Sequence, residues 1–357
     1  MSAPGTLFDM LPTAGVFPST RYQGSKRRLA AAIVAELRGI EYTTVLDAFG
    51  GTGAVAHAMK CLGKHVTYND VLAFNHQVGI ALIENDHTRV VPERTKSIAT
   101  RRPGVEYDDF IERTFEGIYY SSEENRWLDV AVANIGAVGD RYERAILWHA
   151  LFQAALAKRP YNLFHRGNLS MRTADVPRTF GNKATWERSF DEHFRRFAET
   201  ANRAVVDGAG NCRAIRGDVM SVKGSFDLVY LDPPYINARG VGVDYHHFYH
   251  FLEGLVDYPN WRERIDDRYK HRPLVRQPQP WADRNQVHSA FRTLFDRFRE
   301  STLVVSYRSD GIPTPAEIES MLGDDSYPLR VIPLADRPYA LSTASGTQEL
   351  LFVSRPR

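Results

Sequence analysis

Cysteine is scarce in this chain: two residues, Cys61 and Cys212, in 357. Two thiols cannot frame a disulfide-stapled fold or a cysteine-rich metal centre, and they point to a reducing, cytoplasmic setting. No apolar run approaches the roughly 18–20 residues that a membrane helix needs, so no membrane partner is expected. Residues 1–20, a loose arm rich in Pro, Gly and Thr, lack the basic stretch and apolar core of a secretory signal. Neither sign of charge dominates: 45 Lys and Arg against 43 Asp and Glu leave +2. Any nucleic-acid surface must therefore come from local clustering of cations. Internal repeats and low-complexity segments are missing as well. What remains, 43% apolar and 25% charged, is the composition of a globular chain. Its length suits two domains, or one domain carrying a large insertion.

The most telling stretch is Leu228-Val229-Tyr230-Leu231-Asp232-Pro233-Pro234-Tyr235. Four apolar, β-prone residues read as a short buried strand, and two prolines stop it. Asp232, preceding a proline, is held extended. A rigid platform results just past a strand end, with one carboxylate, a turned-out carbonyl and one aromatic ring. In open α/β sheets ligands sit at the carboxyl ends of strands. An exocyclic amine on a base is a poor nucleophile because its lone pair is delocalised into the ring. A carboxylate and a carbonyl that both accept from the amine can localise that pair, while a stacked tyrosine fixes the base plane. Taken alone, the same residues also make an ordinary strand-end turn.

Upstream, Thr43 to Phe49 is a β-branched, apolar strand that runs into Gly50-Gly51-Thr52-Gly53 and then into a helical stretch, Ala54 to Leu62. Strand, glycine turn and helix form a nucleotide-binding unit in which backbone must approach the ligand closely. The Gly-x-Gly-x-x-Gly dinucleotide pattern and the lysine of a phosphate loop are both missing. An acidic residue before the turn, Asp47, and no lysine within it favour a nucleoside ligand without polyphosphate, which S-adenosylmethionine fits. The next strand, His65 to Asp70, ends in a carboxylate about 17 residues after Gly53, where an acid can grip ribose hydroxyls. Before these lies Arg21-Tyr22-Gln23-Gly24-Ser25-Lys26, then the periodic stretch Leu29 to Ile40, with Ser25 as its expected N-cap. Glycine turn, lysine and helix N-terminus together suit a carboxylate, although taken alone they read more readily as a capped surface helix.

From Val71 to about Ala204 helical periodicity takes over, in Glu123 to Ile135, Arg141 to Ala157 and Trp186 to Arg203. Between the last two, Lys158 to Arg188 holds seven Lys and Arg against two acids, with Asn, His, Tyr and Phe interleaved. Cations neutralise phosphates, and Arg and Asn present forked donors to base edges. Some 28 residues without regular structure is long for an idle connector. Arg159, Asn162, His165, Arg166, Asn168, Arg172, Arg178, Asn182 and Lys183 are therefore candidate DNA contacts. Cys212 to Ile215 resumes the sheet, and Asp218 follows it where an adenine amino group of a cofactor would lie. Asp244 is a possible cap before three histidines, of which His246 and His247 are adjacent and point apart, so no metal is read there. Trp261 to Arg284 is a mixed-charge excursion, either a second DNA-facing flap or a solvated loop. A helix over Gln286–Phe298, a strand over Thr302–Tyr307, a helix over Thr314–Leu322 and a terminal hairpin (Tyr327–Leu334, Gln348–Val353) complete the chain.

Together these stretches resemble the N6-adenine DNA methyltransferases of the Dam type, the α group. Tyr22-Gln23-Gly24-Ser25-Lys26 is similar to that family's N-terminal cofactor motif. Asp47-Ala48-Phe49-Gly50-Gly51-Thr52-Gly53 resembles its Phe-x-Gly-x-Gly loop, Asp70 its ribose acid and Asp232-Pro233-Pro234-Tyr235 its catalytic motif. The resemblance implies an α/β fold: a Rossmann-like, S-adenosylmethionine-dependent methyltransferase sheet (residues 21–74 and 206–357) with an inserted, mainly helical target-recognition domain (75–205). It implies S-adenosylmethionine as methyl donor, bound by Tyr22, Gly24, Lys26, Asp47, Phe49, Gly51, Gly53, Asp70, Asp218 and Asp232. No metal is implied, because a sulfonium is already activated. The partner it implies is double-stranded DNA, with a monomer acting on it and a cognate restriction endonuclease acting separately. The target adenine would be flipped out at a cost of a few kcal/mol, and stacking on Tyr235 would return about 1–3 kcal/mol. Serine usually heads the motif in cytosine-N4 enzymes, which argues against that acceptor. RNA adenine remains an alternative, as does a non-catalytic DNA-binding regulator.

Overall fold

The computed structural model describes residues 17–174, 183–208, 210–323, 329–334 and 347–356. Seven strands form the main sheet: β1 (Thr44–Asp47), β2 (His65–Asp70), β3 (Arg213–Arg216), β4 (Leu228–Leu231), β5 (Thr302–Arg308), β6 (Leu329–Leu334) and β7 (Glu349–Ser354). Their spatial order is β3-β2-β1-β4-β5-β7-β6. The first five run parallel, and β7 is antiparallel to both β5 and β6. The chain steps outward from β1 to β2 and β3, then returns to the other side of β1 with β4. That reversal opens a crevice beyond the carboxyl ends of β1 and β4, where Asp47 and Asp232 stand.

The central strands β1, β2, β4 and β5 are buried on both faces, as parallel strands flanked by helices must be. Along β1 and β4, Val45, Leu228 and Tyr230 belong to one apolar cluster and Leu46, Val229 and Leu231 to the other. Helices Val287–Arg297 and Pro315–Leu322 cover the second face with Phe291, Leu294 and Ile318. The first face receives the helices inserted between β2 and β3. Their centre is helix Arg141–Ala157, in which every residue from Ala145 to Ala157 is buried. A helix apolar on all sides needs neighbours on all sides, and this one packs against Ala73–Gly79 and Phe190–Ala204. Leu147 and Phe194 thus share one continuous core with Val66 and Tyr230.

Local chemistry corrects several expected boundaries. Ser25 caps a single 3-10 turn, Lys26–Arg28, and the helix proper runs Ala30–Glu36. The helix expected over Trp186–Arg203 is two helices, Lys183–Glu187 and Phe190–Ala204. Ser189 and Glu192 satisfy each other's backbone N–H groups in a capping box, which restarts the chain there. Asp244 does cap a turn, accepting from the His247 N–H at 2.9 Å.

Candidate functional site

The crevice at the strand reversal is a cleft open to solvent. Tyr22, Gly24 and Lys26 line one side; Asp47, Phe49 and Gly51 line the floor after β1; Asp70 and Asp218 close the far end. Asp232 and Pro234 complete the wall after β4. Gly53 sits outside the lining, at φ +73° as the N-cap of helix Ala54–Cys61. Gly50 is obligatory: an added Cβ would lie 2.1 Å from the Tyr68 ring, and the Tyr68 hydroxyl donates to the Gly51 carbonyl at 2.7 Å.

Lys26 is the electrostatic centre. Its ammonium, on a residue 5% exposed, donates to both Asp232 oxygens at 2.7 and 2.8 Å and lies 3.2 Å from Glu349 at the head of β7. Burial opposes the lysine charge, but Asp232 and Glu349 outweigh it and raise the Lys26 pKa well above its ordinary value. Burial pushes the Glu349 carboxyl up to about 6, with Lys26 pulling the other way. Asp70 accepts from the Gly51 and Leu72 N–H groups at 2.9 and 2.8 Å and from Asn75 at 3.0 Å. Despite those donors, burial lifts it to about 6. Asp47 stands higher, at about 8, through burial and the repulsion of Asp232 and Asp70, and its Oδ1 is buried with no hydrogen-bond partner. Three carboxylates (Asp70, Asp232 and Glu349) and a largely protonated Asp47 surround the Lys26 ammonium, which leaves the cleft an excess of negative charge suited to a cation.

A model of the D12 class N6 adenine-specific DNA methyltransferases matches residues 22–308, a span that contains every residue lining the cleft but not Glu349. The chain belongs to that family. The motifs resemble the Dam type, and the matched class carries the name D12. This D12 methyltransferase is similar to the Type II methyltransferase M2.HphI of Haemophilus parahaemolyticus, 25% identical over 324 residues that cover 88% of this chain and 90% of that protein. It is also similar to the Type II methyltransferase M.FokI of Planomicrobium okeanokoites, 25% identical over 342 residues (85% of this chain, 47% of that one). The modification methylase StsI of Streptococcus sanguinis is 23% identical over 323 residues (86% and 46%). The chain thus spans nearly all of the first relative and about half the length of the other two.

In the D12 methyltransferase Tyr235 is not a wall of the cleft. Its ring is 5% exposed, lies edge-on to Tyr307 at 6.0 Å, and has Lys26 and Arg308 each 5.6 Å from its centroid. Pro233 is buried. The aromatic residues that do line the cleft are Tyr22, Phe49, Tyr230, Tyr245 and Trp281. Tyr22 stacks on Tyr245 at 5.5 Å and on Tyr249 at 4.6 Å, near-parallel in both cases. The four-residue spacing of Tyr245 and Tyr249 on a capped helix was the available signal for this stack. Pro278 to Ala282 also line the cleft, with Trp281 edge-on to Phe49 at 5.1 Å. This end of the Trp261–Arg284 excursion thus lines the cleft, with Trp281 buried and Pro278 exposed.

The basic segment divides sharply. Arg159 is 1% exposed; its guanidinium donates to the carbonyls of Leu163, Gly167 and Arg166 at 3.1, 2.7 and 2.6 Å and lies 4.6 Å from the Tyr119 ring centroid. Burial draws its pKa down to about 10. Arg172 is also turned inward, on Glu124 at 2.6 Å and on the Tyr119 carbonyl. These two arginines, expected on DNA, instead hold the segment together. Asn162 and Asn168 adopt left-handed backbone (φ +56° and +60°) and are half-buried. His165 is half-buried against Phe248, and burial lowers its pKa to about 4. Arg166 and Lys183 are exposed, the latter 3.5 Å from Glu187. Arg178 and Asn182 lie outside the described residues.

Proposed function

We propose that the cleft binds S-adenosylmethionine and that Asp232, with the Pro233 carbonyl, receives the exocyclic amine of an adenine flipped out of duplex DNA. The observation that carries this reading is the placement of Asp232 across the strand reversal from the glycine turn, at the end of a cleft that wants a cation. S-adenosylmethionine supplies an electrophilic methyl on a cationic sulfonium. Asp47, with its unpartnered buried oxygen, and Asp70 suit the cationic and hydroxyl parts of such a ligand, Asp218 its base. Tyr22, held by two stacked tyrosines, and the Gly50–Gly51 turn fix its path. Asp232 would accept from the amine and leave the nitrogen lone pair free to attack, so that alignment contributes most of the rate. Residues 75–205 would recognise the target site, with exposed cations such as Arg166 and Lys183 on phosphates. The names of the relatives favour a place beside a restriction endonuclease, and the protein would act as a monomer in the cytoplasm.

The test is methyl transfer from labelled S-adenosylmethionine to duplex DNA of mixed sequence, followed by digestion to nucleosides. Label in N6-methyldeoxyadenosine is the expected result. Label in N4-methylcytosine would move the acceptor, and label only in RNA would move the polymer. Cofactor binding without any transfer would make the chain a regulator.

A further inference from the structure

Asp232 enters the reaction in an awkward state. Both of its oxygens accept from one ammonium, Lys26, at 2.7 and 2.8 Å. An incoming amine needs one of those oxygens as its own acceptor, so the lysine must loosen its hold when the base arrives. A buried ammonium cannot give up a partner without another one near, because an unpaired charge in a closed site is costly. The Lys26 environment holds that alternative already. Glu349, 5% exposed, lies 3.2 Å from the Lys26 Nζ, at the head of the last strand.

Its position is set by the sheet rather than by the motifs. Glu349 pairs in register with Arg308 across β5 and β7, and Arg308 is itself tied to Asp310. The match to the methyltransferase family ends at residue 308, so nothing in that match gives Glu349 a role. We propose that Glu349 is a positioning residue for methyl transfer: it receives the Lys26 ammonium as Asp232 turns one oxygen to the target amine. The inference rests on the assignment of Asp232 as the amine's acceptor. It adds a division of labour between two carboxylates that share one cation. Asp232 touches the base, whereas Glu349 acts only through Lys26 and keeps the net charge of the site negative as positive charge develops on the attacking nitrogen.

The groups facing Glu349 are Lys26, Asp232 and Arg308, with Tyr235 beside the lysine. Burial sets the Glu349 carboxyl at about 6, so acid should silence it within an accessible range. The experiment compares the full-length protein with Glu349→Gln and Glu349→Asp, measuring kcat on duplex DNA at saturating S-adenosylmethionine from pH 5 to 9. S-adenosylmethionine affinity and thermal midpoint are measured for each protein. At pH 8, Glu349→Gln should lose about 10- to 100-fold in kcat, with cofactor affinity within about threefold, and Glu349→Asp should recover part of the loss. The decisive reading is the ratio of wild type to Glu349→Gln. It should shrink toward one as pH falls through about 6, where the wild-type glutamate becomes protonated and resembles the variant. Titrations of groups that do not interact with Glu349 cancel in that ratio. An unchanged kcat, or a loss equal at every pH, overturns the proposal. If Glu349→Gln fails to fold, Glu349→Asp carries the test: a kcat loss at pH 8 at unchanged cofactor affinity supports the proposal, and wild-type kcat overturns it. An Asp232→Asn control separates the two readings. Activity in that variant sinks the site assignment itself, whereas its inactivity beside an unaffected Glu349→Gln sinks only the present inference.

Discussion

Asp47 shows how a single buried carboxyl links stability to the ligand. Its folded pKa of about 8 lies above the ordinary value near 3.9. The protonated form is therefore favoured by folding, and stability from this group is present at low pH and lost as pH rises through about 8. Asp70 and Glu349, each at about 6, have finished titrating below that window. Between pH 7 and 8 the ligand-free protein should lose about 1 kcal/mol through Asp47. Asp47→Asn should flatten that slope in a series of denaturant titrations; an unaltered slope assigns it to another group. Asp232→Ala should abolish methylation while cofactor affinity falls far less, as read by labelled transfer and calorimetry, and near-wild-type turnover would refute its role. These acids were legible in the sequence because each follows a short apolar strand. Glu349 was not legible, since a charged residue opening a final strand looks like any solvated edge until the sheet places it against Lys26.

At the scale of elements, the strands and the long helices could be read from periodicity and β-branching, and His65–Asp70 and Arg141–Ala157 fall where the pattern puts them. The segment from Lys158 to Arg188 could not be read that way. Counting cations does not reveal which ones the fold consumes, and Arg159 and Arg172 are consumed by carbonyls and by Glu124 that lie far off in sequence or across a turn. The two kinds of arginine should part in experiment. Arg159→Met should destabilise the protein by about 3 kcal/mol, because it strands three carbonyls. Arg166→Ala should leave stability within about 0.5 kcal/mol and reduce the salt slope of DNA binding by about 0.9, the value of one phosphate contact. Chemical denaturation and binding isotherms at several salt concentrations decide both. A salt slope unchanged by Arg166→Ala would move the DNA surface elsewhere.

At the scale of the molecule, the insertion and the sheet are joined by one apolar core. Helix Arg141–Ala157 has no solvated side, and Phe152 meets Phe74 edge-on at 5.6 Å just beyond β2. The N-terminal strap adds polar ties: the Arg21 N–H donates to Gln153 at 2.9 Å and the Gln23 N–H to Tyr249 at 2.8 Å. Helices packed into the sheet this way should not melt by themselves. Scanning calorimetry should show one transition with matching calorimetric and van't Hoff enthalpies, and two resolved transitions would show that the insertion has its own stability.

The Lys26 network also has a history in time. Lys26 belongs to the first helical turn described, Asp232 to the middle of the chain, and Glu349 to the last strand. Chains fold as they leave the ribosome, earlier parts first, so the lysine is made before both of its carboxylates. A chain shortened before β7 keeps the glycine turn and the strand reversal, but Lys26 then lacks Glu349 and the sheet lacks the strand that bridges β5 and β6. Such a truncation removes a carboxylate and a structural partner together, so its effect on activity is expected to exceed that of Glu349→Gln.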